Sequence, residues 1–212
     1  MLLGVANDQA ATHMRNMLWR VSPRRDPPAG FVQPCRPTLV RDPPAGPGWL
    51  HEMKHDGYRL LARKDADRVR LWTRYGTDFT GRLLAIADAV RSLPVDNALI
   101  DGEAVVFRSD GHSDFAALRT RAGGEQAAFV AFDLLSLDAD DLRQRPLEER
   151  REALAQLVAG ADDIQFSVAL AAEGAARVRA RLQARPRRDR VEAGRQPLQE
   201  RGEPQLAEAP EP

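Results

Sequence analysis

The sequence predicts an α+β domain built on antiparallel sheet, and three observations carry that prediction. Strand-like runs rich in Val, Ile, Leu and aromatic residues recur between residues 49 and 137. Helical patterns fall between some of them but not between all, which argues against the strict alternation of a parallel sheet. On both flanks the texture changes, to repeated Pro before Gly48 and to Arg, Glu, Pro and Gln after Ala180.

Taken in order, residues 8–22 have helix-forming composition with apolar residues at mixed spacing. Pro23 to Pro47 follows, with PPAG occurring twice. Repeated Pro removes backbone donors and fixes φ, so extended chain or loop is expected there rather than a packed element. The strand-like runs are Trp49–Met53, Tyr58–Arg63, Val69–Thr73, Ala98–Phe107 and Ala127–Leu137. Phe79–Leu93 reads as an amphipathic helix with Leu83, Leu84, Ile86, Ala87 and Val90 on one side. Ser113 ahead of Phe115 and Leu118 suggests a capped short helix, and Pro146–Val158 reads as a charged helix. From Ala180 to Pro212 there is no aromatic residue, isoleucine or methionine, so disorder is the expected state of the C-terminal tail.

Lys+Arg 31 balances Asp+Glu 31. Proteins that grip DNA unaided carry a basic excess, because phosphate contacts dominate their affinity, so an independent DNA-binding module is disfavoured. Cys35 is the single cysteine, which excludes an intrachain disulfide and points to a reducing compartment. The opening MLLGVANDQA has no basic n-region, and nothing approaches the roughly 20 apolar residues of a membrane span. A soluble, cytoplasmic, monomeric protein without membrane contact is expected.

The sharpest local feature is Glu52-Met53-Lys54-His55-Asp56-Gly57-Tyr58-Arg59, a lysine between a strand-like run and an Asp-Gly turn signal. In isolation such a tetrapeptide reads as a solvated lysine at a strand end. The same residues match H-E-x-x-H, at His51, Glu52 and His55. A zinc protease needs both histidines on one face of a stable helix. Pro47-Gly48 before the segment and Asp56-Gly57 after it leave room for barely two turns, which excludes that reading.

Three further phrases follow in order: Thr73-Arg74-Tyr75-Gly76, then Leu99-Ile100-Asp101-Gly102-Glu103-Ala104-Val105, then Phe129-Val130-Ala131-Phe132-Asp133-Leu134-Leu135. With GWLHEMKHDGYRL they resemble the ordered motifs of the covalent nucleotidyltransferases, the superfamily of DNA ligases, RNA ligases and mRNA-capping enzymes. FVQPCRPTLV and WLHEMKHDGYRLLARKD are most similar to the ligase module of bacterial non-homologous end-joining ligases. The resemblance spans roughly residues 31–160. It implies the ATP-grasp-like nucleotidyltransferase fold of a DNA ligase adenylation domain, with ATP and Mg²⁺ as cofactors and nicked or broken double-stranded DNA as partner. End-joining proteins are further implied partners.

It also implies roles. Lys54 would be the nucleophile that takes AMP from ATP before AMP passes to a DNA 5′-phosphate. A free lysine has a pKa of about 10.4 and must lose its proton to attack. Cations nearby, Arg59, Arg74 and Mg²⁺, favour the neutral amine. Glu52 would face the adenine amino group and Phe132 would stack on the base. Glu103 would contact the ribose or the metal, and Arg59 and Arg74 would bind ribose and phosphate. Plain core for Phe132 and a solvated strand end for Arg74 are the alternatives. An RNA ligase or capping-type enzyme, or a non-catalytic remnant that binds nucleotide weakly, are the competing readings of the whole.

The family's two later motifs, E-G-I-V-S-K and one ending in W-L-K-L, are absent, as is the oligonucleotide-binding (OB-fold) domain that follows them. The codons of Val178–Pro212, read one base later, permit FAHACRLGLEGIVSKR and then SPYKSGESPNWLKLRNP. The expectation is therefore a frameshift near Val178. It divides the chain into an arm with helix and Pro-rich loop (1–30), a partial adenylation domain (31–178) and an out-of-frame tail (179–212), with impaired catalysis and marginal stability.

Overall fold

The computed structural model describes residues 28–37, 49–161 and 163–170. The helix expected at 8–22, the disorder expected in the tail and the frame change near Val178 lie outside the described residues.

A hairpin opens the sheet: β1 (Tyr58–Asp65) pairs antiparallel with β2 (Arg68–Thr73). Their two-residue connection places Ala66 at φ 48, the left-handed region that tight hairpins demand. A 3-10 turn (Thr80–Arg82) and α1 (Leu84–Arg91) lead into β3 (Asn97–Val105). Two short helices, α2 (Phe115–Leu118) and α3 (Arg121–Glu125), precede β4 (Ala128–Leu137). The short β5 (Asp140–Asp141), α4 (Leu147–Leu157) and β6 (Ile164–Phe166) complete the described elements. The strand order is β2-β1-β3-β4-β5, with β6 alongside β4. All pairings are antiparallel except β4 with β6, which is parallel because α4 acts as a crossover. The α+β class expected from the sequence is the class observed.

Strand alternation gives the sheet two different faces. On one, Leu60, Leu71, Ile100, Phe129 and Leu134 pack against Ile86 and Val90 of α1 and Leu154 and Leu157 of α4. On the other, a small cluster of Leu61, Trp72, Leu99 and Leu135 is covered by Val32. Arg59, Arg63, Asp101 and Glu103 share that second face, being offset by two from Leu61 and Leu99.

Several local expectations are corrected. Trp49–Met53 is irregular chain rather than strand, held by contacts described below instead of a ladder. Phe79–Leu93 splits into the 3-10 turn and α1, and Leu84 is 56% exposed. Leu83, Ile86, Ala87 and Val90 line up at helical spacing, which leaves Leu84 about 100° off that stripe. The cap of α2 is Asp114, whose side chain accepts from Ala117 N at 2.9 Å, not Ser113. Within the Pro-rich segment, the described residues 28–37 form neither helix nor strand, as expected, yet they make specific contacts. Phe31 meets Trp72 edge-on at 6.1 Å, Pro34 is buried, and Arg63 donates to the carbonyls of Pro28 and Gly30.

Candidate active site

Lys54 lies in the irregular segment that enters β1, exposed to solvent. The segment is tethered on both sides of it. Leu170 N donates to His51 O at 2.7 Å, and Arg151 holds Glu52 at 2.6 Å. Beyond the lysine, His55 stands edge-on to Phe107 at 5.5 Å, and Asp56 N donates to Ser113 Oγ at 3.3 Å. Gly57 then passes so close to β3 that a Cβ there would sit 2.1 Å from Ala104 O. Only glycine permits that approach, which gives the Asp-Gly pair its physical reason. A long cationic side chain thus projects from backbone fixed at both ends. Burial pushes the His55 imidazole below its ordinary value, and the Glu52 carboxylate partly opposes that shift.

The sheet face beside this segment carries most of the expected residues. Arg59 on β1 and Glu103 on β3 are direct cross-strand partners. Arg59 grips Asp101 with both arms of its fork, Nε to Oδ1 at 3.0 Å and Nη2 to Oδ2 at 2.9 Å. Its Nη1 donates to Cys35 O at 2.8 Å, and its guanidinium lies 5.5 Å from the Phe132 ring centre. Arg59 is therefore committed to a carboxylate and a carbonyl, more than the sequence suggested.

Phe132 owes its placement to a bulge. Asp101 pairs with Asp133 and Gly102 with Ala131, so Phe132 is the extra residue in β4. Bulges re-aim side chains beside functional sites. The ring is half-buried on the face of Arg59 rather than sealed in the main core. Gly102 is required by packing, since a Cβ there would sit 2.4 Å from Phe129 Cε2 and 2.7 Å from Val130 O.

Arg74 stands one residue past β2, exposed, with its guanidinium 4.9 Å from the Tyr75 ring. The Leu60–Thr73 pairing puts it next to the Arg59 position, at the rim rather than within the cluster. The structure thus brings Arg59, Glu103 and Phe132 together on one face, with Glu52 and Lys54 on the loop that enters β1 and Arg74 at the edge.

Two members were not anticipated. Asp101, 1% exposed, is the partner of Arg59, and its parity with Glu103 in the D-G-E phrase was the available signal. Arg151 donates Nη1 to Glu52 Oε1 and to Phe132 O (2.9 Å), and Nη2 to Ser167 O (2.6 Å). Its guanidinium also lies over Phe166, 4.8 Å from the ring centre. The signal for it was spacing: Arg150 and Arg151 occupy the stripe of Leu147, Leu154 and Leu157, the inward side of α4.

Among the described residues no cluster of three or more His, Cys, Asp or Glu side chains is arranged for a metal. His51, Glu52 and His55 lie on irregular chain, so the H-E-x-x-H match lacks the helix that would set both histidines on one side.

One face of the antiparallel sheet thus carries Arg59, Asp101, Glu103 and the bulge-presented Phe132 ring, beside the exposed Lys54 on its tethered loop. The family model described as ATP dependent DNA ligase domain matches residues 39–185, and the chain belongs to that family. The multifunctional non-homologous end joining protein LigD of Pseudomonas aeruginosa is 40% identical over 152 residues, which is 69% of this chain and 18% of that protein. DNA ligase C of Mycobacterium tuberculosis is 34% identical over 141 residues, covering 61% of this chain and 39% of that ligase. The chain thus spans less than a fifth of one relative's length and about two fifths of the other's.

Among solved structures, the ligase domain of M. tuberculosis LigD superposes with a TM-score of 0.51 at 31% identity, over 64% of this chain and 45% of that one. A mycobacterial DNA ligase D complexed with ATP and MES gives 0.52 at 27% identity, over 82% and 56%. The resemblance to end-joining ligase modules read from the sequence is borne out.

Proposed function

We propose that this chain carries out the self-adenylation step of ATP-dependent DNA joining and serves, in a longer protein or with a complementing part, to seal nicks or ends in repair by end joining. The observation that carries this reading is the tethered loop that brings the exposed Lys54 and the Arg151-held Glu52 into β1, beside the face of Arg59, Glu103 and Phe132. The similarity to a mycobacterial ligase solved with ATP supports ATP as the nucleotide.

In this reading the adenine stacks on Phe132 and its exocyclic amine donates to Glu52. The neutral Nζ of Lys54 attacks the α-phosphorus, an N–P bond forms, the bond to the β-phosphate oxygen breaks, and pyrophosphate leaves as Nζ gives up its proton. Arg74 at the rim offers its fork to phosphate oxygens, the geometry at which arginine excels. Arg59, already fixed by Asp101, orients toward the ribose. Glu103 would hold a Mg²⁺ ion, whose charge would offset that of the triphosphate. AMP then passes to a DNA 5′-phosphate, and a 3′-hydroxyl displaces it. Cys35 as the single cysteine suits the reducing cytoplasm, where the chain acts as a monomer in this proposal; separately, among the described residues no helix is long and apolar enough to cross a membrane.

Residues 31–178 are the adenylation unit in this proposal, and residues 179–212 an out-of-frame tail. Gene sequence across the codons from Val178 onward that forbids the shifted reading removes the latter point. The test of function is the intact mass of purified protein after incubation with ATP and Mg²⁺, beside Lys54→Ala. An AMP-sized increase absent from the variant is the expected result. No adduct on folded wild-type protein overturns self-adenylation for this chain.

A further inference from the structure

One guanidinium is bonded to both residues that would touch the base. Arg151 Nη1 donates to Glu52 Oε1 and to the carbonyl of Phe132, and Nη2 donates to Ser167 O beyond β6. Its side chain is 8% exposed, whereas that of Glu52 is 28% exposed. The arginine is thus behind the carboxylate and the carboxylate is at the front. The carbonyl it takes up belongs to the bulge residue, whose place in the ladder with β3 is lost. A planar fork can serve several acceptors in fixed directions, which a lysine cannot.

We propose that Arg151 is the positioning residue that sets nucleobase selectivity, by fixing the Glu52 carboxylate as an acceptor and the Phe132 bulge as a platform in one rigid unit. This rests on the reading of Glu52 and Phe132 as base contacts. Its physical content is a sign. Oε1 of Glu52 is taken by Arg151, and among the described residues Oε2 has no hydrogen bond, so the group offers an incoming base an acceptor only. A purine with an exocyclic amine at the six-position satisfies it. A purine with a carbonyl oxygen there sets two acceptors against each other, and the site then discriminates because a buried polar group goes unmatched. Without Arg151 the carboxylate is free to turn, and the discrimination weakens although the stacking platform persists.

The experiment is equilibrium titration of the full chain with ATP and with GTP in EDTA, so that binding is read without turnover, for wild type, Arg151→Lys and Arg151→Ala. A thermal melt of each accompanies it. Wild type is expected to prefer ATP. Arg151→Lys is expected to lose about tenfold in ATP affinity, the worth of one charge-assisted hydrogen bond, with GTP affinity little changed. The ATP:GTP ratio, which a merely structural role would not move, falls toward unity. Folded Arg151→Lys with the wild-type ratio overturns the proposal and leaves the functional reading standing. Loss of folding in both variants assigns Arg151 to the scaffold and also overturns it. Wild type that binds neither nucleotide overturns the functional reading and the proposal together.

Discussion

Replacing Arg150 with methionine would expose how much of the stability rests on charge buried beneath β4. Arg150 and Asp133 are 6% and 4% exposed, and two parallel bonds join them, Nε–Oδ1 at 2.8 Å and Nη2–Oδ2 at 3.1 Å. The remaining arm donates to Arg145 O at 2.6 Å. Asp133 also lies directly across the ladder from Asp101, another buried carboxylate. Arg150→Met would strip the guanidinium from a carboxylate that faces a second one in low dielectric. Breaking one side of a buried pair costs about 3–5 kcal/mol, a large part of the roughly 5–15 kcal/mol that holds a domain together. At about 2–4 °C per kcal/mol for a domain of this size, Tm should fall by roughly 6–20 °C. Asp133→Leu combined with Arg150→Met removes both charges and should recover most of that loss, because apolar pairs of similar volume replace buried ion pairs at little cost. Urea denaturation of the wild type, both single variants and the double variant closes the cycle. A single Arg150→Met variant within about 1 kcal/mol of wild type would refute the reasoning, since effects that small belong to exposed pairs.

Other outcomes can be checked with the same preparations. Gly102→Ala drives a Cβ to 2.4 Å from Phe129 Cε2 and 2.7 Å from the backbone oxygen of Val130, and should cost about 1–3 kcal/mol in urea melts. Gly57→Ala meets Ala104 O at 2.1 Å, so the loop must lift, and the AMP adduct on Lys54 should be lost while far-ultraviolet dichroism stays close to wild type. The His55 imidazole is pushed down by burial, so as pH falls the unfolded chain takes the proton first. The stability it contributes is complete above its ordinary value of 6.5 and lost as pH drops toward the lowered folded value. Urea midpoints measured from pH 7.5 to 5 should fall in wild type and fall less in His55→Gln.

The parts of this fold that were readable from sequence are those where a period or a backbone constraint leaves a mark. β1 to β4 are long enough to show their composition, and Gly57 marks a backbone constraint beside Lys54, a close approach to β3 where a turn was expected. β6 spans only Ile164–Phe166, too short for a period, and its parallel pairing depends on where α4 returns the chain. The Phe132 bulge was invisible because an extra residue exists only relative to the partner strand's register. α4 was expected as a charged helix, but that reading did not say which of its charges turn inward, and spacing was the signal for that. Arg150 and Arg151 can be buried because acceptors meet them there, the buried Asp133, the partly exposed Glu52 and three carbonyls among them. Ser113, expected to cap a helix, accepts instead from the loop of the lysine, a long-range contact no local pattern encodes.

The strap formed by residues 28–37 meets the arginines of β1 through main-chain oxygens: Pro28 O and Gly30 O for Arg63, Cys35 O for Arg59. Recognition of that kind reads the path of a chain and ignores most of its spelling. Exposed positions such as Ala29, Gln33 and Arg36 can therefore drift freely over evolutionary time, while Gly30, at φ 85, and the two receiving arginines are constrained. Two related ligases could then share this covering in shape and keep almost nothing of it in letters, so that alignment alone would place the start of the domain too late.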